Sequence, residues 1–172
     1  WATGKFEIDN NSLFILAEFF GVSVDYILGR SDNPSGDIKK KGVKIPVLGN
    51  VAAGLPIDAI EDVIDYEEIP EDMAKTGQFF GLKIKGDSMF PDIKNGDVVI
   101  VKQQEDVESG NIAIVLVNGD SATCKKVMKR EDGLVLVANN PAVYEPHFYT
   151  NSDVISLPVR IIGRVVELRR TF

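Results

Sequence analysis

The sequence contains a single cysteine and a single histidine among its 172 residues. Cys124, standing alone, excludes an internal disulfide and suits a reducing compartment. His147 lies in Glu145-Pro146-His147-Phe148, which reads as a Pro-containing loop, so a nucleophile elsewhere in the chain lacks the usual imidazole partner. Long apolar runs are missing as well. None approaches the roughly 18 residues that a membrane-spanning helix requires, and no membrane partner is expected. A basic excess is also absent: Lys+Arg total 19 against Asp+Glu 26, a net charge of −7. Such a chain is repelled by phosphate backbones unless a basic patch is segregated, so this stretch by itself should bind DNA poorly. The opening Trp1-Ala2-Thr3-Gly4-Lys5 has neither an initiator methionine nor the charged and apolar regions of a signal peptide. The expectation is a cytoplasmic protein with further sequence upstream.

The hydrophobic content of 44% is ordinary for a folded soluble chain, and the length suits one full domain with a small appendage. The appendage comes first. Over 11–20, Leu13, Leu16, Ala17 and Phe20 recur at helical spacing, and Gly21 is placed to stop the helix. Ser23 is a candidate N-cap for a second short helix containing Val24, Tyr26, Ile27 and Leu28, closed by Gly29. Two helices this short cannot bury a core of their own. Residues 31–41 are polar, punctuated by Asn-Pro and Ser-Gly and carrying Lys39-Lys40-Lys41, and read as a linker.

The period then changes from helix to strand. Val43, Ile45 and Val47 alternate, and a run of mostly small residues follows, Asn50-Val51-Ala52-Ala53-Gly54-Leu55-Pro56, able to enter a narrow cleft in extended form. Residues 64–70 read as an exposed acidic connection with one short strand. Further strands are expected over 79–85, 97–102 and 112–117. Asn118-Gly119 is a strong hairpin signal that should return the chain over 122–129, and Asp132-Gly133 turns it into 134–138. A last strand covers 159–168. Short strands joined by turns, with little helix, indicate a mainly β main domain.

The chemistry centres on Gly86-Asp87-Ser88-Met89, a tight turn after an apolar strand where a hydroxyl can stand exposed. Serine needs an adjacent base, and a desolvated lysine can serve, since burial disfavours the ammonium. Two lysines, Lys125 and Lys126, sit on the expected return strand. Alternation puts Thr123, Lys125 and Val127 on one face and Cys124 and Lys126 on the other, so Lys125 faces inward if Val127 does. Taken singly, Ser88 reads as a turn residue, Lys125 as a solvated strand lysine and Ala53-Gly54 as an ordinary loop. Asp87 reads as a turn former, and Cys124, with no histidine near it, as a packing residue.

Two resemblances join these parts. Phe20-Gly21-Val22-Ser23-Val24-Asp25-Tyr26-Ile27-Leu28-Gly29, together with Trp1 and Gly4-Lys5, resembles the closing segment of a Cro/CI-type helix-turn-helix domain. Gly86-Asp87-Ser88-Met89-Phe90-Pro91, then Asn95-Gly96-Asp97 before a Val/Ile run, then Thr123-Cys124-Lys125-Lys126-Val127, resemble the LexA-type self-cleaving repressor peptidases. That resemblance implies a β-rich peptidase domain at 45–172, a linker at 32–44, and the truncated α-helical remnant of a helix-turn-helix domain at 1–31. It implies Ser88 as nucleophile, Lys125 as general base, the backbone N–H groups of Asp87 and Ser88 as oxyanion donors, and Ala53-Gly54 as the bond cut in the chain itself. No cofactor and no metal is implied. The implied partners are operator DNA through the full N-terminal domain, the RecA–single-stranded DNA filament as co-protease, and a second copy through the C-terminal domain, with 161–168 as a candidate pairing strand. A prophage or SOS-type repressor is the resulting expectation; the alternative is a non-cleaving repressor whose C-terminal domain only dimerises or binds an antirepressor. A type I signal peptidase shares the Gly-Asp-Ser-Met serine but needs a membrane anchor. A self-processing polymerase accessory protein leaves the helical front unexplained.

Overall fold

The computed structural model describes residues 9–34, 42–51, 62–118 and 122–170. They belong to two compact units divided between Lys41 and Gly42.

In the first unit, α1 (Asn10–Phe20) begins at Asp9, whose carboxylate accepts the Ser12 N–H at 2.9 Å. It ends at Gly21 in the left-handed region, with the Val22 N–H bonded to the Ala17 carbonyl. Ser23 caps α2 (Val24–Ile27), its hydroxyl accepting the Tyr26 N–H at 3.1 Å. Leu13 and Ala17 are buried, but Phe20, which periodicity assigns to the same face, is 64% exposed. The reason is geometric. A single-turn α2 offers too little surface to cover the last turn of α1 as well, and Phe14, Ile15 and Phe19 stay exposed with it.

The second unit is one nine-stranded sheet. Its strands are β1 (Val43–Leu48), β2 (Val63–Ile69), β3 (Phe79–Lys83), β4 (Val98–Gln103), β5 (Ile112–Leu116), β6 (Ala122–Arg130), β7 (Gly133–Val137), β8 (His147–Thr150) and β9 (Arg160–Arg169). The order across the sheet is β2-β1-β3-β4-β9-β5-β6-β7-β8, antiparallel at every step except β1 beside β3. Short helices α3 (Glu71–Ala74) and α4 (Asn151–Ser156) fill connections. The mainly β architecture is as the turn-punctuated strand pattern indicates.

Two differences from the sequence reading have physical causes. His147 opens strand β8 and is not in a loop; Pro146 lies just outside the ladder, where its missing N–H removes no bond. Val43 and Lys44 pair with Ile69 and Glu68, so β1 begins inside the stretch read as linker. The last strand, β9, is central, which the sequence does not announce. It joins β4 to β5 and carries a register irregularity against each, the extra residues of two bulges.

The largest core cluster contains Leu48, Val51, Phe80, Leu82, Ile84, Met89, Ile93, Val99, Val101, Ile114 and Cys124. It ties the Ser88 turn to β1, β3, β4, β5 and β6 in one packed body. A second cluster, including Ala113, Val115, Val127 and Leu136, sits under the β5–β7 region.

Candidate active site

The Ser88 turn grows out of the β3–β4 pair. Beyond Lys83 the ladder continues for one more step, the Ile84 N–H bonding to the Asp97 carbonyl at 2.8 Å and the Gly96 N–H to the Ile84 carbonyl at 2.9 Å. Gly86 then leaves the strand with φ +83°, a region that favours glycine, and its N–H is caught by the Asn95 side-chain oxygen at 3.0 Å. Met89 and Ile93 drive into the core behind the turn, at 1% and 4% exposure, while Asp87 stays at the surface. Ser88 is left half-buried between them. The base of the turn is held from the other side by Asp97, whose carboxylate accepts the Lys94 N–H at 2.7 Å and two bonds from Arg170, at 2.8 and 2.6 Å. That charge-assisted fork holds the Asp97 carboxyl below the usual carboxylate range, the Arg170 hydrogen bonds being the largest cause.

Lys125 comes to Ser88 from β6, 37 residues further on. Its Nζ donates to Ser88 Oγ at 2.9 Å, to Thr123 Oγ1 at 2.8 Å and to the Cys124 carbonyl at 3.0 Å. The lysine is 2% exposed, beside a fully buried Val127. Burial lowers its pKa from the usual 10.5. Cys124, one residue back, points into the largest core cluster, and burial pushes its thiol up to about 12. The arrangement has a specific chemical capacity. A neutral lysine has two N–H donors and one lone pair. Thr123 Oγ1 and the Cys124 carbonyl can accept both donors, which leaves the lone pair to receive the Ser88 hydroxyl proton.

The Peptidase S24-like family matches residues 46–166. The LexA repressor of Finegoldia magna is 35% identical over 149 residues, covering 86% of this chain and 66% of that protein. The LexA repressor of Pelotomaculum thermopropionicum is 36% identical over 140 residues, covering 81% and 64%, and that of Halalkalibacterium halodurans 34% over 146, covering 84% and 67%. This chain belongs to the Peptidase S24-like family. It spans about two thirds of the length of the curated relatives it matches.

Within this S24-like domain, a cleft of about 230 Å³ opens beside Ser88, lined by Gly49, Asn50, Leu82, Lys83, Ile84, Lys85, Met89, Ala122, Thr123 and Cys124. Gly49 and Asn50, just after β1, line one side of it; the next residue, Val51, is buried, and its carbonyl accepts the Ala122 N–H at 3.3 Å. Ala53 and Gly54 lie outside the described residues. Among the described residues, neither the Asp87 nor the Ser88 backbone N–H has an acceptor. His147 is exposed, with Nδ1 2.8 Å from the Glu145 carbonyl oxygen, whereas the side chain that reaches Ser88 Oγ is Lys125. No cluster of metal-ligating side chains occurs among the described residues. Nor is any helix among them long and apolar enough to cross a membrane.

The sequence reading did not single out three residues that complete the site. Thr123 is an acceptor for Lys125. Asn140 fastens the Ser88 turn, its backbone N–H donating to the Ser88 carbonyl at 2.9 Å and its side chain to the Asp87 carbonyl at 3.2 Å. Tyr144 lays its ring over Lys125, with Nζ 4.4 Å from the centroid. Of these only Thr123 had a local signal, its place two residues before Lys125 on the same strand face. Asn140 and Tyr144 arrive from a loop whose position depends on the β6–β7–β8 pairing.

Proposed function

We propose that this chain is part of a transcriptional repressor that inactivates itself by cutting its own Ala53–Gly54 bond, with Ser88 as nucleophile and Lys125 as general base. The observation that carries the reading is the 2.9 Å contact between Lys125 Nζ and Ser88 Oγ at a lysine removed from solvent. Family membership and relatives named LexA repressor support it. The docking of Val51 against β6, two residues before Ala53, supports the choice of bond.

In the proposed reaction Ser88 Oγ attacks the Ala53 carbonyl carbon while its proton passes to the neutral Lys125 amine. The negative oxygen is taken up by the backbone N–H groups of Asp87 and Ser88, which have no acceptor among the described residues. The C–N bond then breaks, the Lys125 ammonium returns the proton to the Gly54 nitrogen, and water hydrolyses the Ala53–Ser88 ester. Holding the bond in the same chain supplies a large effective concentration, so tight substrate binding is not needed. Because burial lowers the Lys125 pKa, the neutral base forms at a lower pH than for a free lysine, and cleavage rises with pH until that group is deprotonated.

The same reading assigns 1–31 to the end of a Cro/CI-type helix-turn-helix domain, the residues from 32 up to the start of β1 at Val43 to a linker, and the rest of the chain to the self-cleaving and dimerising domain. Operator DNA is the target of the complete N-terminal domain, a second copy pairs through the C-terminal domain, and the RecA–single-stranded DNA filament is the trigger, in the cytoplasm, for a prophage or SOS-type regulator. Cutting separates the DNA-binding part from the dimerising part and so removes the avidity of two linked half-site contacts. The test is cleavage of purified protein with and without the filament. Wild type cleaves in a RecA-stimulated manner, whereas Ser88→Ala and Lys125→Met stay intact. A wild type that stays intact in both conditions supports the alternative, a non-cleaving repressor that dimerises or binds an antirepressor.

A further inference from the structure

Lys125 has one neighbour that the Ser-Lys chemistry does not use. The Tyr144 ring covers its Nζ at 4.4 Å from the centroid, well inside the distance at which the negative face of an aromatic ring attracts a cation. We propose that Tyr144 is a positioning residue that favours the charged form of Lys125 and thereby sets the pH at which the peptidase becomes competent. The proposal rests on the reading of Lys125 as the base for Ser88.

The ring does not lie there by accident of an exposed side chain. Tyr144 is half-buried, and its loop is fastened to the Ser88 turn by the two Asn140 bonds, with the Val143 and Tyr144 N–H groups closing back on the Asn140 carbonyl at 3.1 and 3.2 Å. The ring also contacts His147, 5.0 Å between centroids. The same loop therefore positions both the serine turn and the cover over the lysine.

The electrostatic consequence follows from counting partners. An ammonium at this place has three oxygen acceptors and the ring face; a neutral amine gains nothing from the ring. Few other charges compete. Cys124 on β6 is held as a neutral thiol by burial, Ala113 faces Lys125 from β5, and Asp87 on the serine turn is exposed to solvent. Among the described residues, the titratable neighbours of the ring are Tyr149 and the exposed His147. Burial thus pushes Lys125 toward the neutral base while the ring pulls it toward the inert cation.

The experiment is the pH–rate profile of self-cleavage in the full chain for wild type, Tyr144→Leu and Tyr144→Phe, with NMR titration of Lys125 in the Ser88→Ala background of each of the three. Leucine keeps the apolar cover and removes the ring face. Its profile should move about one pH unit to lower pH, close to tenfold in rate on the acid limb. Tyr144→Phe, which keeps the ring and loses the hydroxyl, should restore the wild-type midpoint. A Tyr144→Leu profile that is lower at every pH with the same midpoint makes the ring structural only and overturns the proposal, as does a Phe variant that shifts like Leu. The NMR arm separates the two readings. A Lys125 titration that shifts in Tyr144→Leu, with no variant ever cleaving, leaves the ring's role standing and removes the self-cleavage reading. Cleavage with an unmoved titration removes the ring's role alone.

Discussion

Met89→Ala tests how the serine turn is held. Met89 follows Ser88 directly and is 1% exposed, packed in the cluster with Ile84, Ile93, Val99 and Cys124. Truncation removes three heavy atoms. At about 0.8 kcal/mol per buried methylene, the transfer cost is about 2 kcal/mol, and incomplete closure of the cavity brings the sum to about 3 kcal/mol. That lowers the folded-to-unfolded ratio by roughly 100-fold and the melting temperature by roughly 10 °C. The functional loss should exceed the stability loss, because the same side chain fixes the turn on which the 2.9 Å contact between Ser88 and Lys125 depends. A displacement near 1 Å can cost about 100-fold in rate. Urea unfolding followed by circular dichroism, in a Ser88→Ala background so that no cleavage intervenes, gives the first number. Single-turnover cleavage at a pH and temperature where the variant is still folded gives the second. Met89→Leu, which conserves volume, should retain most of both. A Met89→Ala protein that loses less than about 1 kcal/mol, or that cleaves as fast as wild type while folded, refutes the reasoning.

Three further outcomes follow from the charges and thiol around the site. Lys125→Met should stabilise the fold at neutral pH, since the native pKa of Lys125 lies below 10.5 and the unfolded chain binds the extra proton between the two values. Wild-type stability therefore rises with pH across that window, and the advantage of methionine, read as a urea midpoint, should shrink toward pH 10. Asp97 has the opposite sign: its native pKa is depressed by Arg170, so its contribution is present above the unfolded carboxylate pKa and is lost as pH falls through the native one. Asp97→Asn should accordingly melt earlier than wild type at pH 7 and converge with it in strong acid. Cys124, held up to about 12 by burial, should react with iodoacetamide at pH 8 at least roughly 100-fold more slowly in the folded protein than in urea.

Strand content, the glycine turns at Gly86 and Gly96, and the hairpin after Asn118 could be read in the sequence because each depends on neighbours a few residues apart. The inward placement of Lys125 was legible for the same reason, through alternation with Val127. Alternation alone also set Cys124 on the opposite face, and the sheet buries both faces there, so burial by itself does not distinguish the lysine from its neighbour. Strand β8 escaped because it is a four-residue edge strand beginning next to Pro146, with little apolar alternation. The helix after it had a readable signal in Thr150 and Asp153, which form a reciprocal capping box. The fastening of the site was not legible at all. Asn140 to Asp87, Asp97 to Arg170 and Tyr144 to Lys125 join residues that only the strand order brings together.

The most direct measurement is the intact mass of the purified chain after incubation across a pH series and over a range of protein concentrations. The account predicts two fragments, one ending at Ala53 and one beginning at Gly54, formed at a rate that rises with pH, is independent of concentration and vanishes in Ser88→Ala. Fragments meeting at another bond, or the same fragments from Ser88→Ala, would contradict it.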